Sequence, residues 1–179
     1  MWIFIDESGN PHLRNPDEIF LVVALRVANP RPLEKVVRRA YQKLSPQRQY
    51  EARYELKGGL LSEAEQVGLL RSIALVYERT DLDVGLIAFD KASIRSSHEA
   101  RRKLDEKGRV LHENGVRLVL DHMTLASARE NVRIHIDRRD TLTNTFYSKL
   151  ESSLRKQCCN AGVNVIPSID FRIKNGTTA

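Results

Sequence analysis

Short apolar runs alternate with longer segments of helical spacing along the chain. Residues 2–6 and 19–27 are apolar and rich in β-forming side chains, and a turn-rich segment separates them, which predicts two strands joined as a hairpin. An early hairpin followed by alternating helices and strands predicts an α/β fold, in which a mixed sheet carries helices on its faces. The later strands are predicted at residues 84–89, 132–136 and 163–171.

The first helix is predicted where Pro30 and Pro32 precede apolar residues at helical spacing. We expect it to end at Pro46, before a polar and irregular segment over residues 47–61. Its apolar side is expected to pack on the sheet and its basic side to stay exposed. The apolar residues are Leu33, Val36, Val37, Ala40 and Leu44, and the basic ones are Arg38, Arg39 and Lys43.

A capping box begins the second helix. Ser62 is followed three residues later by Glu65, and this pair satisfies free N–H groups at a helix start. The helix is expected to run to about residue 79.

Helical sequence also dominates residues 97–128. Glycine is unfavourable inside a helix, so we expect this region to break or loosen near Gly108 and Gly115. A last helix is predicted to begin at Thr143 or Asn144, where a side-chain oxygen can cap the first turn.

Length and composition predict one globular domain over residues 1–179. Hydrophobic residues make up 41% of the chain, which argues against wholesale disorder. There is no apolar run near the roughly 20 residues that a membrane helix needs, and acids follow the apolar N-terminus where a signal peptide would continue. Cys158 and Cys159 are adjacent and are interpreted as buried thiols in a reducing compartment. We therefore expect a cytoplasmic protein.

The basic residues are unevenly distributed. The net charge is +6, from 29 basic and 23 acidic residues, and residues 26–53 are rich in Arg and Lys. Such a stretch is compatible with a polyanionic partner such as nucleic acid. The alternative is a solvated helix face with no ligand.

Acidic residues stand at strand ends and in one loop. Asp6 and Glu7 end the first strand, Glu55 lies in the irregular segment, and Asp137 ends the strand at residues 132–136. Ligands bind at strand ends in α/β sheets, and converging carboxylates favour Mg²⁺ or Mn²⁺. Two such ions can activate water and stabilise the leaving oxygen of a phosphodiester. Each acid alone is more often a turn former or cap.

The order of these motifs resembles a known family. The elements are Ile5-Asp6-Glu7-Ser8-Gly9, an apolar second strand, Glu55-Leu56-Lys57 and Ile136-Asp137-Arg138. Together they resemble the bacterial family called domain of unknown function 3800, and the resemblance covers most of the chain. It implies a ribonuclease H-like fold and a magnesium-dependent phosphodiesterase.

The resemblance also implies roles for individual residues. Asp6, Glu55 and Asp137 are expected to be the metal ligands, with Glu7 beside them in the site. Lys57 and Arg138 are expected to hold phosphate or compensate charge. The family continues into a C-terminal helix that supplies a last acidic ligand. Here the sequence stops at Ala179, so we expect the domain to be truncated at its C-terminal end, with Asp170 as a possible substitute.

The sequence leaves two questions open, the role of the histidines and the choice between several functions. His135 and Asp137 are two residues apart on one strand face, so a histidine–metal site is possible, although partly buried or surface imidazoles are the simpler interpretation. Ser8 has no histidine partner at a spacing that favours a serine nucleophile. The function that the sequence favours is a metal-dependent nuclease acting on DNA or RNA. The alternatives are an inactive relative that binds nucleic acid or protein, and a nucleotide phosphohydrolase.

Overall fold

The computed structural model describes residues 1–52, 56, 58–77, 82–96, 104–123, 132–138, 143–160 and 168–173, with side chains except at 104–107, 138, 158, 160 and 168–173. The strands are β1 (Trp2–Ser8), β2 (Ile19–Val27), β3 (Leu82–Asp90), β4 (Arg133–Arg138) and β5 (Ser168–Ile173). The helices are α1 (Arg31–Gln42), α2 (Pro46–Ala52), α3 (Glu63–Tyr77), α4 (Lys91–Ser96), α5 (Leu104–His122) and α6 (Asn144–Asn160), with a 3-10 turn at Gly58–Leu60.

The five strands form one sheet in the order β3-β2-β1-β4-β5. The central strand β1 pairs in parallel with β4, and Ile5 lies opposite Ile136. Strand β4 also pairs in parallel with β5. Because β1 and β2 are neighbours, the order agrees with the predicted hairpin. The predicted α/β sheet with packed helices is confirmed.

One face of the sheet, here called the inner face, packs against α5 and α6. Alternate residues of each strand point to it, as the period of two requires. A sheet covered by helices on this face buries a continuous apolar core. The buried strand residues are Ile3, Ile5, Phe20, Val22, Ala24, Ile134 and Ile136, and the buried helix residues include Leu111, Val116, Val119, Leu120, Phe146, Leu150 and Leu154.

The expected break in the helix at Gly108 and Gly115 was wrong, because α5 runs without interruption through both glycines. A Cβ atom on Gly115 would lie 2.5 Å from Val22 Cγ2 and 3.0 Å from Phe89. On Gly108 it would lie 2.8 Å from the ring of His12. These glycines therefore allow α5 to approach the sheet and the β1–β2 loop closely, and this packing outweighs their low helix propensity.

The chain divides into two compact units. The sheet unit comprises Met1–Arg26 and Asp83–Lys174, and the helical unit is built around Val27–Leu82. In the helical unit, α1 packs against α3, and its expected packing on the sheet stays a prediction. Its basic side chains are exposed as predicted: Arg38, Arg39 and Lys43.

Two helix starts in the helical unit differ in how well they were predicted. The capping box is confirmed, because Ser62 N–H donates to Glu65 Oε2 at 2.7 Å and Glu65 N–H donates to Ser62 Oγ at 3.4 Å. Arg48 forms a bidentate salt bridge with Glu65, in which its two terminal nitrogens donate to the two carboxylate oxygens at 3.0 and 2.8 Å. The hydrogen bonds from Arg48, and to a smaller extent those from Ser62, lower the pKa of Glu65 to about 2. Pro46 was expected to mark the end of α1, and α1 does end before it, at Gln42. Pro46 also begins α2, where its fixed φ and missing N–H are tolerated, so the segment expected to be irregular from residue 47 is helical as far as Ala52.

The ends of the chain's last elements follow the sequence signals in part. Thr143 caps α6, since its Oγ1 accepts the Phe146 N–H at 3.2 Å. The last predicted strand is present as β5, although its expected start at residues 163–167 lies outside the described residues.

Cys159 is an exposed free thiol, so the expectation that it is buried was wrong. Over the described ranges, no helix is long and apolar enough to cross a membrane.

Candidate carboxylate site

Asp6 and Asp137 meet on the outer face of the sheet, the face opposite α5 and α6. Ile5 of β1 and Ile136 of β4 are partners across the parallel ladder, so the next residues, Asp6 and Asp137, occupy neighbouring positions. Both line one cavity of about 280 Å³. The prediction that these acids lie on neighbouring strands is confirmed, and the expectation that their carboxylates lie about 4–6 Å apart stays a prediction. The cavity is completed by Phe4, Ile5, Val23, Leu25 and His135.

The two carboxylates differ in exposure. Asp6 is exposed and Asp137 is partly buried. Asp6 Oδ1 accepts the backbone N–H of Glu7 at 2.8 Å. Asp6 is therefore an acid that a ligand in the cavity can reach.

Glu7 points to the opposite face from Asp6. Its side chain is only 4% exposed, and its Oε2 lies 3.6 Å from Nε2 of the fully buried His112. The His112 ring packs edge-on against Phe146 at 5.5 Å between centroids. Adjacent residues of a strand point to opposite faces, so the motif places one acid in the cavity and the other in the core. The structure thus brings Glu7 to His112 and not to Asp137.

The turn after the acidic motif depends on Gly9. Its φ is +84°, a conformation that other residues adopt at a cost. A Cβ atom there would lie 2.6 Å from the carbonyl oxygen of Ile19. Gly9 therefore lets the chain leave β1 close to the start of β2.

A buried lysine holds the loop that follows this turn. Lys91, at the start of α4, is fully buried, and its Nζ donates to the carbonyls of Asn10 at 2.8 Å, His12 at 3.3 Å and Asn15 at 3.4 Å. Burial lowers the pKa of Lys91. Arg95, one helical turn later, donates to the Asp17 carbonyl at 3.3 Å. Neither residue was predicted from the sequence, because their partners are backbone atoms that no side-chain motif reveals.

Aromatic rings adjoin the carboxylates on the same face. Trp2, Phe4 and His135 lie with ring centroids 5.2 to 6.2 Å apart and interplanar angles of 8° to 17°. The guanidinium carbon of Arg133 lies 4.9 Å from the centre of the Trp2 ring. His135 was considered as a metal ligand from its spacing to Asp137, and the structure places it in the cavity beside that residue.

The remaining predicted residues are placed only in part. Glu55 and Lys57 lie outside the described residues. Arg138 ends β4, directly after Asp137, and its side chain is not described. Asp170 lies on β5 and pairs with His135 in register. Among the residues whose side chains are described, no group of three or more His, Cys, Asp or Glu could hold a metal ion.

The pair Asp6 and Asp137 nevertheless fits a magnesium ion. Mg²⁺ usually keeps several waters and binds through one or two carboxylates together with substrate phosphates. Two hard oxygen donors at one cavity are such a set, and one of them is exposed. The described donors are therefore compatible with Mg²⁺ or Mn²⁺, and Glu55 stays a predicted third ligand.

The basic stretch of residues 26–53 separates into paired and exposed cations. Arg26 is paired with Asp83, and Arg48 is paired with Glu65 at 2.8 Å. Arg39 on α1 and Lys43 just after its end are exposed and line a second cavity, of about 610 Å³, in the helical unit. These exposed cations keep open the predicted contact with a polyanion.

Comparison with solved structures shows the fold. The chain is similar to a chain of the complex between PCNA and RNase HII from Archaeoglobus fulgidus, with a TM-score of 0.56 and 10% sequence identity. The match covers 97% of this chain and 62% of that chain. At this identity the likeness shows the fold alone, which is ribonuclease H-like, as the sequence predicted. No protein-family model matches the sequence, and a search of curated proteins gave no match.

Proposed function

We propose that this protein is a divalent-metal-dependent nuclease that hydrolyses phosphodiester bonds of DNA or RNA at Asp6 and Asp137. The observation that carries the proposal is the meeting of these two acids at one cavity on adjacent parallel strands. The ribonuclease H-like fold supports it, because the similar structure contains a ribonuclease. The resemblance to the domain of unknown function 3800 family, based on residues 5–9 and 136–138, is part of the same proposal.

Asp6 and Asp137 would hold the metal, with Glu55 as a third ligand. When bound, Mg²⁺ or Mn²⁺ supplies Lewis-acid activation of water and stabilises the leaving oxygen. Lys57 and Arg138 would hold the phosphate and offset its charge. The exposure of Asp6 keeps the cavity accessible to a phosphodiester.

The loop contacts position the first ligand. Gly9 turns the chain immediately after the acidic motif, and Lys91 binds three carbonyls of the loop that follows. A loop fixed in this way limits the movement of the end of β1, on which Asp6 lies. Preorganised ligands lose less entropy when a metal and substrate bind.

A second candidate is an inactive relative that binds nucleic acid or protein. It is favoured by one observation, that Arg39 and Lys43 are exposed, because such cations attract a polyanion whether or not it is cleaved. The two candidates differ in whether cleavage occurs, so one assay separates them.

The test is cleavage of labelled single- and double-stranded DNA and RNA over a series of Mg²⁺ and Mn²⁺ concentrations, with free nucleotides as further substrates. We expect metal-dependent cleavage of the polymers, and a loss on the order of 100-fold in Asp6→Asn, which removes a ligand charge but keeps the shape. Glu63→Gln is the matched control, since Glu63 is an exposed acid at the start of α3, outside the loop that follows Asp6.

Three results would contradict parts of this proposal. Cleavage in chelator, or an Asp6→Asn variant as active as the parent, excludes a metal site at Asp6. Hydrolysis of free nucleotides without cleavage of polymers favours the phosphohydrolase alternative. Binding without cleavage under every condition favours the inactive relative.

A further inference from the structure

Three successive rungs of β1 and β4 on the outer face carry different chemistry. Trp2 lies opposite Arg133, and Phe4 lies opposite His135. The third rung is the acidic pair, Asp6 with Asp137. The outer face therefore presents, in order, a cation over an indole, two further aromatic rings, and the carboxylates of the proposed metal site.

The aromatic rings are not simply core residues. Trp2, Phe4 and His135 are each partly exposed, whereas the inner-face residues Ile3 and Ile134 on the same strands are fully buried. The rings lie within 17° of parallel, and Phe4 and His135 line the cavity that contains the two aspartates. Apolar surface is thus continuous with the proposed catalytic site.

We propose that Trp2, Phe4 and His135, with Arg133, form a stacking platform for unpaired bases, so that the substrate is bound as a single strand. This inference rests on the proposed function and deepens it. Bases stack on partly exposed aromatic rings with little regard to sequence. Paired bases are already stacked within a duplex, so unpaired ones gain more from such a platform.

The length and charge of the row agree with this ligand. Alternate residues of a strand are about 6.6 Å apart, so the row from Trp2 to Asp6 is about 13 Å long. Successive rungs are therefore far enough apart for a separate base to stack at each one. Arg133 is exposed and supplies a positive charge for a phosphate at the end of the row away from the carboxylates.

The only tryptophan of the chain provides the measurement. Because Trp2 is that residue and its ring contacts Arg133, Phe4 and His135, its fluorescence reports binding at the platform. The probe is a twelve-nucleotide oligo(dT), with oligo(rU) and a blunt DNA duplex for comparison, titrated in chelator at pH 8 so that cleavage cannot occur. We expect saturable quenching of Trp2 by both single strands and at least roughly tenfold weaker binding of the duplex.

Variants then assign the binding to these residues. Phe4→Leu and His135→Leu retain Trp2, and each should weaken oligo(dT) binding by roughly tenfold. Arg133→Gln, at an exposed position, should lower the slope of log affinity against log salt by about 0.7, the effect of one lost phosphate contact on a single strand. Tyr77→Leu is the matched control, because Tyr77 is an aromatic residue that is 54% exposed at the end of α3 and lies outside the basic stretch. Its affinity should equal that of the parent.

The outcomes distinguish this inference from the proposed function. Quenching that depends on Phe4 and His135 supports the platform, even in a protein that cleaves nothing, and in that case the nuclease proposal fails alone. Cleavage without any response of Trp2, or oligo(dT) affinity unchanged in Phe4→Leu, His135→Leu and Arg133→Gln, overturns the platform and leaves the nuclease intact. Equal or tighter binding of the duplex also overturns it. Loss of thermal stability in the two leucine variants would leave the Arg133→Gln salt slope as the deciding measurement.

Discussion

The two faces of the central strands differ in what their side chains do. On the inner face, Ile5 and Ile136 are packed against helices and are almost fully buried. On the outer face, one residue further along, Asp6 and Asp137 line an open cavity. Because successive strand residues point to opposite faces, the pairing that buries Ile5 and Ile136 also brings Asp6 and Asp137 to the other face. The register of β1 and β4 therefore determines both the core and the candidate site.

The acidic motif shows the same difference within two residues. Asp6 is exposed on the outer face, whereas Glu7 is buried against His112 on the inner face. An acid pair in a sequence therefore need not act as a pair. In this fold the register supplies the partner of Asp6 from β4, and α5 supplies the partner of Glu7.

The largest expected difference between the faces is in stability. Ile136→Ala removes a fully buried side chain and leaves a cavity, so we expect a loss of about 2–5 kcal/mol in the free energy of unfolding. Leu86→Ala, on the outer side of β3 where Leu86 is 55% exposed, should cost less than about 1 kcal/mol. Urea denaturation measures both. Equal losses would mean that the outer face is as tightly packed as the inner one.

A smaller effect is expected where α5 meets the inner face. Gly115→Ala would place a methyl group 2.5 Å from Val22 Cγ2, so overpacking should cost about 1–3 kcal/mol despite the better helix propensity of alanine. Gly68→Ala in α3 is the control, since no atom lies within 4 Å of its added Cβ. That variant should be neutral or stabilising. A stabilised Gly115→Ala would show that α5 can move away from the sheet at little cost.

Local signals predicted much of the fold. The apolar run of β2 was predicted with the bounds that the structure shows, and the capping box at Ser62 correctly located the start of α3. The errors arose where a residue has two structural uses. Pro46 can end or begin a helix, and Gly115 can break a helix or allow close packing. Tertiary context decides between these uses, and a single sequence does not contain that context in readable form.

The candidate site was predictable in its residues more than in its geometry. Asp6 and Asp137 were identified from strand ends, but their pairing depends on the order β1-β4. The contact of Glu7 with His112 and the three bonds of Lys91 join segments far apart in sequence. Sequence alternation placed His135 on the same strand face as Asp137, although only the structure showed the aromatic cluster of His135 with Trp2 and Phe4.

The smallest expected effect is also the sharpest test of the two faces, because it compares adjacent residues of one motif. Asp6→Asn changes an exposed side chain, and its effect on the free energy of unfolding should stay within about 0.5 kcal/mol.

Glu7→Gln keeps the shape of a side chain that is 4% exposed and 3.6 Å from His112. A buried polar group that loses its favoured contact costs about 1–3 kcal/mol, and a near-isosteric amide recovers part of this. We therefore expect Glu7→Gln to lose about 1 kcal/mol in urea denaturation. Cleavage should show the opposite order, reduced on the order of 100-fold by Asp6→Asn and largely retained by Glu7→Gln. A Glu7→Gln variant that is fully stable yet inactive would instead place Glu7 in the catalytic site, as the sequence motif implied, and would require its side chain to leave His112 when substrate binds.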